Sequence, residues 1–154
     1  MAEFTNLTDQ TLAPNQATAF TLNPVPCERG FVRWRQGGSS FNLSGRVFNR
    51  GCCCRRPRSA MYQVTVKANI AVAEGETPGP ISMVLALNGT PIPESIMTVT
   101  PAVVGDFFNI GCAVSVPVWA GCCEDLSLIN ASDISIDMNT PVVNITRPDL
   151  LVTY

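Results

Sequence analysis

The stretch Tyr62–Val72, YQVTVKANIAV, alternates apolar and polar side chains along its whole length. Successive side chains of a β-strand point to opposite faces of the sheet. The apolar set that begins with Tyr62 and Val64 therefore shares one face, and the polar set that begins with Gln63 and Thr65 shares the other. The stretch predicts a long strand with one face in the core and one face exposed.

The same alternation recurs along the chain. Ile81–Leu87 repeats it up to Asn88-Gly89, a pair that tolerates positive φ and marks a tight turn, so a hairpin is predicted there with its second strand over Ile92–Val99. Further strands are predicted at Gln16–Leu22, Phe31–Arg35, Phe41–Phe48, Asp106–Val118, Asp125–Asn130, Ile134–Met138, Val142–Thr146 and Leu150–Tyr154. The 12 prolines and 11 glycines punctuate these segments, and no apolar stripe has helical spacing. The sequence predicts an all-β, antiparallel sandwich or barrel of about ten strands.

The chain has 154 residues, which suits one domain. Residues 1–15 lack the alternation, and we predict that they form an N-terminal arm that reaches a neighbour, with residues 16–154 as a single domain. The predicted core consists of inward-facing strand residues: Tyr62, Val64, Val66, Ile70, Met83, Leu85, Leu87, Val116, Leu126, Leu128, Ile134, Ile136, Ile145 and Val152.

The composition is poor in charge and lacks histidine. Only 14% of the residues are charged, against about 25% in a typical soluble domain, so part of the surface is expected to be buried against other subunits. With no histidine, neither a Ser-His-Asp triad nor a histidine-ligated metal can be assembled, and Lys67 is the sole lysine. We therefore expect no enzymatic activity, no cofactor and no metal.

The start of the chain is polar and has an acid, Glu3, where an export signal needs a basic end and an apolar stretch. No apolar run approaches the ~20 residues that cross a bilayer. We expect neither export by that route nor a membrane segment.

Four motifs follow one another in a characteristic order: Tyr62-x-Val-x-Val, ISMVLALNG ending at Gly89, Trp119-Ala-Gly, and EDLSLIN ending at Asn130. In this order they resemble the trimeric jelly roll of the tumour necrosis factor and complement globular-head superfamily. The likeness covers roughly residues 60–154. It is strongest to the heads of collagen-like spore-surface proteins and of phage head fibres.

The resemblance implies a jelly-roll fold and a homotrimer, with Leu150, Val152 and Tyr154 near the threefold axis. It implies a structural virion protein, made in the bacterial cytoplasm, that decorates a phage capsid or forms a head fibre attached to it. The alternative is a head module of a phage tail or spore surface that binds a receptor or a host-surface glycan.

The chain has seven cysteines, and five of them form two runs, CCC and CC, beside turn residues. Turns of a sandwich often converge at one end, so a disulfide or thiol cluster is one hypothesis for Cys27, Cys52, Cys53, Cys54, Cys122 and Cys123. The alternative is that these residues are reduced, small and partly buried. The two-residue spacing of zinc ligands does not occur, so a metal site is disfavoured.

Charge is unevenly distributed along the chain. Residues 29–58 contain eight arginines and no acid, whereas the rest carries a net charge of −10. Arginine suits bidentate pairing with carboxylates, so we predict docking onto an acidic capsid surface through Arg29, Arg33, Arg35, Arg55, Arg56 and Arg58. The alternatives are a solvated strand face and nucleic-acid binding, the latter disfavoured by the pI of about 5.0.

Overall fold

The computed structural model describes residues 1–27, 29–48 and 58–150. For Leu150 it describes the backbone only. Within these ranges the protein has twelve β-strands and two short 3-10 helices. The first six strands are β1 (Ala2–Thr5), β2 (Gln10–Leu12), β3 (Leu22–Val25), β4 (Val32–Arg33), β5 (Phe41–Ser44) and β6 (Ser59–Val72). The others are β7 (Ile81–Leu87), β8 (Thr90–Pro91), β9 (Met97–Val99), β10 (Phe108–Trp119), β11 (Cys123–Asn130) and β12 (Ile136–Thr146). The 3-10 helices span Pro93–Ser95 and Pro148–Leu150.

The strands form two antiparallel sheets of six. The first, sheet A, has the order β10-β6-β12-β1-β3, with β2 also paired to β12. The second, sheet B, has the order β4-β5-β11-β7-β8, with β9 also paired to β7. This architecture confirms the prediction of an all-β, antiparallel jelly-roll sandwich.

Strand β6 is an inner strand of sheet A and has one face in the core, as its alternation predicts. It is paired along its length with β10 on one side and with β12 on the other. Tyr62, Val64 and Val66 are fully buried between the sheets, whereas Gln63 and Thr65 are exposed. Most of the other predicted core residues are buried too, except that Leu87 and Ile134 are half-buried at the margin and Val152 lies outside the described residues.

The predicted hairpin is present in sheet B. Asn88 and Gly89 have φ angles of 50° and 81°, which is the left-handed conformation that this turn requires. The turn therefore reverses the chain where the sequence predicts. The second strand, predicted over Ile92–Val99, is instead divided. The short β8 pairs with the turn end of β7, the 3-10 helix Pro93–Ser95 follows, and β9 pairs with the other end of β7. Pro93 has no N–H to donate to a ladder, so the strand is interrupted there.

The N-terminal segment is part of the sandwich, contrary to the prediction of an arm over residues 1–15. Strand β1 lies between β12 and β3, and β2 pairs with β12. Phe4 and Leu12 are fully buried. The prediction is wrong because β1 and β2 are too short, at four and three residues, to show an alternation, yet they close sheet A and complete the core.

Three other segments differ from the predicted strands. Residues 16–22 run irregularly, with one bridge between Ala17 and Ile129 before β3 begins at Leu22. The two strands predicted from Ile134 to Thr146 are the single strand β12, interrupted by an irregularity at Thr140, whose φ is 44°. At Leu150, where the C-terminal strand is predicted to begin, the structure has the end of the second 3-10 helix, and residues 151–154 lie outside the described residues.

In the described ranges, no helix has the length and apolar character needed to cross a membrane.

Candidate functional site

Three strands of sheet B align a row of polar side chains on its outer face. Arg33 of β4 lies opposite Asn42 of β5, and Asn42 lies opposite Asp125 of β11. Residues directly opposite each other in an antiparallel pair project to the same face. Asn42 Nδ2 donates a hydrogen bond of 2.9 Å to Asp125 Oδ1, so two members of the row are tied together.

The row forms one wall of an open cleft of about 570 Å³, which we call the Trp34 cleft. The residues that line it are one tryptophan and several polar or small residues: Arg33, Trp34, Arg35, Gly38, Ser39, Ser40, Asn42 and Asp125. The side chain of Trp34 is half-buried and packs on Phe4, with the ring centroids 5.3 Å apart. Phe4 in turn packs on Phe41 of the core at 4.5 Å, so the indole is anchored to the interior of the sandwich.

A tight turn fixes the rim of the Trp34 cleft. Gly37 has a φ of 76°, and the Gly38 N–H donates to the Arg35 carbonyl at 2.7 Å. A Cβ atom at Gly38 would approach the same carbonyl oxygen to 2.7 Å, which requires the backbone to shift. The turn is bonded to Phe20, a buried residue of the irregular segment 16–22, whose N–H donates to the Gly38 carbonyl. The glycine pair thus lets the rim fold tightly beside Arg35.

The two ends of the cleft differ in charge. Arg33 and Arg35 are exposed on one side, and Asp125 lies on the other, beyond Asn42. In the part of the chain that the structure describes, the ion pair found is Arg147–Asp149, so neither cleft arginine is paired with a carboxylate there. The Trp34 Nε1 atom is buried and has no hydrogen-bond partner among the residues that the structure describes.

A second polar cluster surrounds Tyr62, near the start of β6. Tyr62 Oη contacts the carbonyl oxygens of Ser44 and Phe31, at 2.7 and 3.1 Å. The guanidinium of Arg147 lies 4.7 Å from the Phe31 ring centroid and donates to the Arg46 carbonyl at 2.6 Å. Burial raises the pKa of Tyr62 to about 12, although Arg147 opposes the shift. This cluster closes the sandwich with an almost completely buried arginine.

Cys27 lies near this second polar cluster, beside Phe31. Burial tends to raise the pKa of its thiol, but the backbone N–H groups of Val32, Arg29 and Phe31 point at the sulfur and lower the pKa overall. Cys112 has no such donors, and burial raises the pKa of its thiol. The two half-buried cysteines therefore differ in their tendency to ionise.

The turn that carries Cys122 is joined to the same region. The Gly45 N–H donates to the Cys122 carbonyl at 2.7 Å, and the Ala120 N–H donates to the Arg58 carbonyl at 2.9 Å. A Cβ atom at Gly45 would overlap the carbonyl oxygens of Trp119 and Cys122, so the close approach requires glycine. Cys122 and Cys123 are exposed, and the described cysteines form no disulfide with one another. Cys52, Cys53 and Cys54 lie outside the described residues, so the thiol cluster stays a prediction.

The structure divides the predicted docking arginines into two places. Arg33 and Arg35 line the Trp34 cleft, whereas Arg58 lies beside the Ala120 turn and Arg29 beside Cys27. Arg55 and Arg56 lie outside the described residues. Of the predicted trimer-axis residues, Leu150 ends the second 3-10 helix, and Val152 and Tyr154 lie outside the described residues.

From the sequence alone, neither Asn42 nor Asp125 is predicted to belong to a binding site. Neither residue belongs to a motif, and only the register of β5 with β11 brings them together. The available signal was the pair of arginines at Arg33 and Arg35 flanking a tryptophan. Among the described residues, no three His, Cys, Asp or Glu side chains group in a way that could hold a metal ion.

Solved structures with the same fold include two globular heads. The globular domain of a zebrafish complement 1qA protein is 7% identical, with a TM-score of 0.63, over 96% of this chain and 95% of that one. The Eiger TNF of S. frugiperda is 11% identical, with a TM-score of 0.61, over 95% of this chain and 90% of that one. No protein-family model and no curated protein sequence matches this chain. The chain therefore has the jelly-roll fold of complement C1q and TNF heads.

Proposed function

We propose that this protein is a non-enzymatic binding head that recognises a glycan in the Trp34 cleft. The observation that supports the proposal is the lining of the cleft, where the half-buried Trp34 is a neighbour of a row of polar side chains and of two serine residues. An indole offers an apolar face to the C–H groups of a sugar ring. Amide, carboxylate and hydroxyl groups match the donors and acceptors of sugar hydroxyls.

The elements around the cleft suit a pre-formed site. Asn42 and Asp125 are held by the ladder between β5 and β11, and by their own side-chain hydrogen bond. Asp125 is fixed further by the Asn88 turn, because its N–H donates to Asn88 Oδ1 at 2.9 Å. Groups that are ordered before binding lose little conformational entropy when the ligand arrives. The cleft is therefore expected to bind without a change in the backbone.

The experiment is a binding assay on a glycan panel with two tryptophan variants. Trp34→Ala is expected to abolish binding, and Trp34→Phe, which keeps a ring that can pack on Phe4, is expected to retain part of it. Trp119→Ala is the matched control, because Trp119 is 61% exposed on sheet A and does not line the cleft. Equal binding by Trp34→Ala and Trp119→Ala would contradict the proposal.

We also propose that the head is a homotrimer that uses the outer face of sheet A. Strands β6 and β10 together present one charged side chain, Lys67, on that face, and otherwise small or uncharged residues. Ala113→Arg, in the middle of β10, is expected to produce monomers in light scattering. Thr90→Arg, on the short exposed strand β8, is the control that should leave the mass unchanged.

As the carrier of this head we propose a phage particle, in the form of a capsid decoration or a head fibre, with a spore surface as the alternative. The support is the sequence resemblance to head-fibre and spore-surface heads. Of the six arginines predicted to dock onto an acidic scaffold, Arg29 and Arg58 are described and do not line the cleft. We propose that these two take part in docking. Mass spectrometry of purified particles tests the proposal, since a decoration protein is present in stoichiometric amounts and an unrelated protein is absent.

A further inference from the structure

We propose that the Trp34 cleft selects glycans that carry an acidic group, and that Arg33 and Arg35 bind the anion. This inference rests on the proposed glycan-binding function and names the class of ligand. A carboxylate and a sulfate ester on a sugar would present the same anionic chemistry to the two guanidinium groups.

Among the described residues, neither cleft arginine is paired with a carboxylate. Both are exposed, and the ion pair found there joins Arg147 to Asp149, which do not line the cleft. Asp125 is the carboxylate that lines the cleft, and one of its oxygens accepts the hydrogen bond from Asn42. Asn42 stands between Arg33 and Asp125 in the row, so the two charged residues are two strand spacings apart, about 10 Å.

The cleft has positive charge on one side, from Arg33 and Arg35, and negative charge on the other, from Asp125. A ligand anion is attracted to the arginine side and repelled from the Asp125 side, so the cleft orients an acidic sugar in one direction. The hydroxyls remote from the acid then meet Asn42 and Asp125, which accept or donate hydrogen bonds. A polymer with an anion on every unit would place charge against Asp125, which disfavours nucleic acid relative to a glycan with a single acidic group.

The lining of the cleft is locally positive. It carries two exposed arginines, Arg33 and Arg35, against one carboxylate, Asp125, in a chain whose net charge is −2. A local positive field raises the association rate of an anionic ligand and makes that rate dependent on salt.

The test is a glycan array of matched acidic and neutral pairs, followed by calorimetry on the pairs that bind. The pairs are 3′-sialyllactose against lactose and 3′-sulfolactose against lactose, in each of which the acidic member carries a single anionic group. Acidic members are expected to bind at least roughly tenfold more tightly than their neutral partners, because a charge-assisted hydrogen bond is stronger than a neutral one. The preference is expected to shrink when the salt concentration rises from 0.15 to 1 M, as the Debye length falls from about 8 to about 3 Å.

Three variants assign the preference to the cleft. Arg33→Gln and Arg35→Gln are each expected to remove most of the preference for acidic over neutral members, measured as the ratio of the two affinities in the same variant. Lys67→Gln is the control, since it removes the same charge from the outer face of sheet A. A preference that falls equally in Lys67→Gln and in Arg33→Gln would overturn the assignment, because only the net charge would then matter.

The outcomes separate this inference from the proposed function. Equal binding of acidic and neutral partners overturns the inference and leaves the glycan-binding function standing. An array on which no glycan binds overturns both. Tighter binding of oligo(dT) than of any acidic glycan, or inorganic sulfate binding as tightly as sulfolactose, would show a general anion or nucleic-acid site and also overturn the inference.

Discussion

Asn42 and Asp125, which are 83 residues apart in sequence, lie opposite each other in the β5–β11 ladder and share a hydrogen bond of 2.9 Å. Asp125 is bonded in turn to the Asn88 turn, so the outer face of sheet B carries an ordered polar row from Arg33 to Asn88. A fold does not by itself define a function, which depends on the individual side chains that the fold carries. This row is the feature on which the proposed binding site rests.

The first prediction concerns the N-terminal strands. Leu12→Ala is expected to reduce the free energy of unfolding by about 2–5 kcal/mol, because Leu12 is buried in the core. Leu7→Ala is the matched control and is expected to stay within about 0.5 kcal/mol of the parent, since Leu7 is 70% exposed. Urea denaturation measures both. Equal stability of the two variants would mean that the N-terminal segment is an arm after all.

The second prediction concerns the buried arginine. Arg147→Met is expected to cost about 2–4 kcal/mol, because it breaks the pair with Asp149 and leaves the Arg46 carbonyl without its donor. Arg33→Met removes an exposed arginine and is expected to change stability by no more than about 0.5 kcal/mol. Thermal unfolding of both proteins checks the difference. A stabilised Arg147→Met protein would show that packing alone stabilises the surroundings of Tyr62.

The third prediction concerns stability at high pH. Tyr62 has a pKa of about 12 in the folded protein, against about 10 when unfolded. The folded state therefore holds this proton more tightly, and its stabilising effect is complete below pH ~10 and is lost as the pH rises towards ~12. The loss is about 3 kcal/mol. In Tyr62→Phe the free energy of unfolding should fall less steeply over this window, and an unchanged slope would contradict the assignment.

The fourth prediction concerns thiol reactivity. In the reduced protein at neutral pH, Cys27 is expected to react with iodoacetamide faster than Cys112. Three backbone N–H groups favour the thiolate of Cys27, whereas burial disfavours that of Cys112. Both side chains are half-buried, so access does not decide the comparison. Peptide mass spectrometry over a time course measures the two rates, and faster labelling of Cys112 would contradict the prediction.

Much of the fold could be predicted from local sequence, and the site could not. The alternation from Tyr62 to Val72 and the Asn88-Gly89 turn are local signals, and each has its predicted structure. Strands β1 and β2 were missed because a few residues carry no periodicity, and their pairing with β12 depends on contacts across almost the whole chain. Asn42 and Asp125 were missed for the same reason, since the register of distant strands is set by the packing of the complete sandwich.

The most direct test of the proposed glycan site in the Trp34 cleft is a ¹H–¹⁵N NMR titration with 3′-sialyllactose, with lactose as the neutral reference. The protein has two tryptophans, so its two indole N–H signals report on the two sheets separately. We predict that the acidic sugar shifts the Trp34 indole signal, the guanidinium signals of Arg33 and Arg35, and the amides of Asn42 and Asp125, while the Trp119 indole signal stays in place. Shifts confined to the Trp119 indole and the outer face of sheet A, with the Trp34 cleft unaffected, would contradict the account.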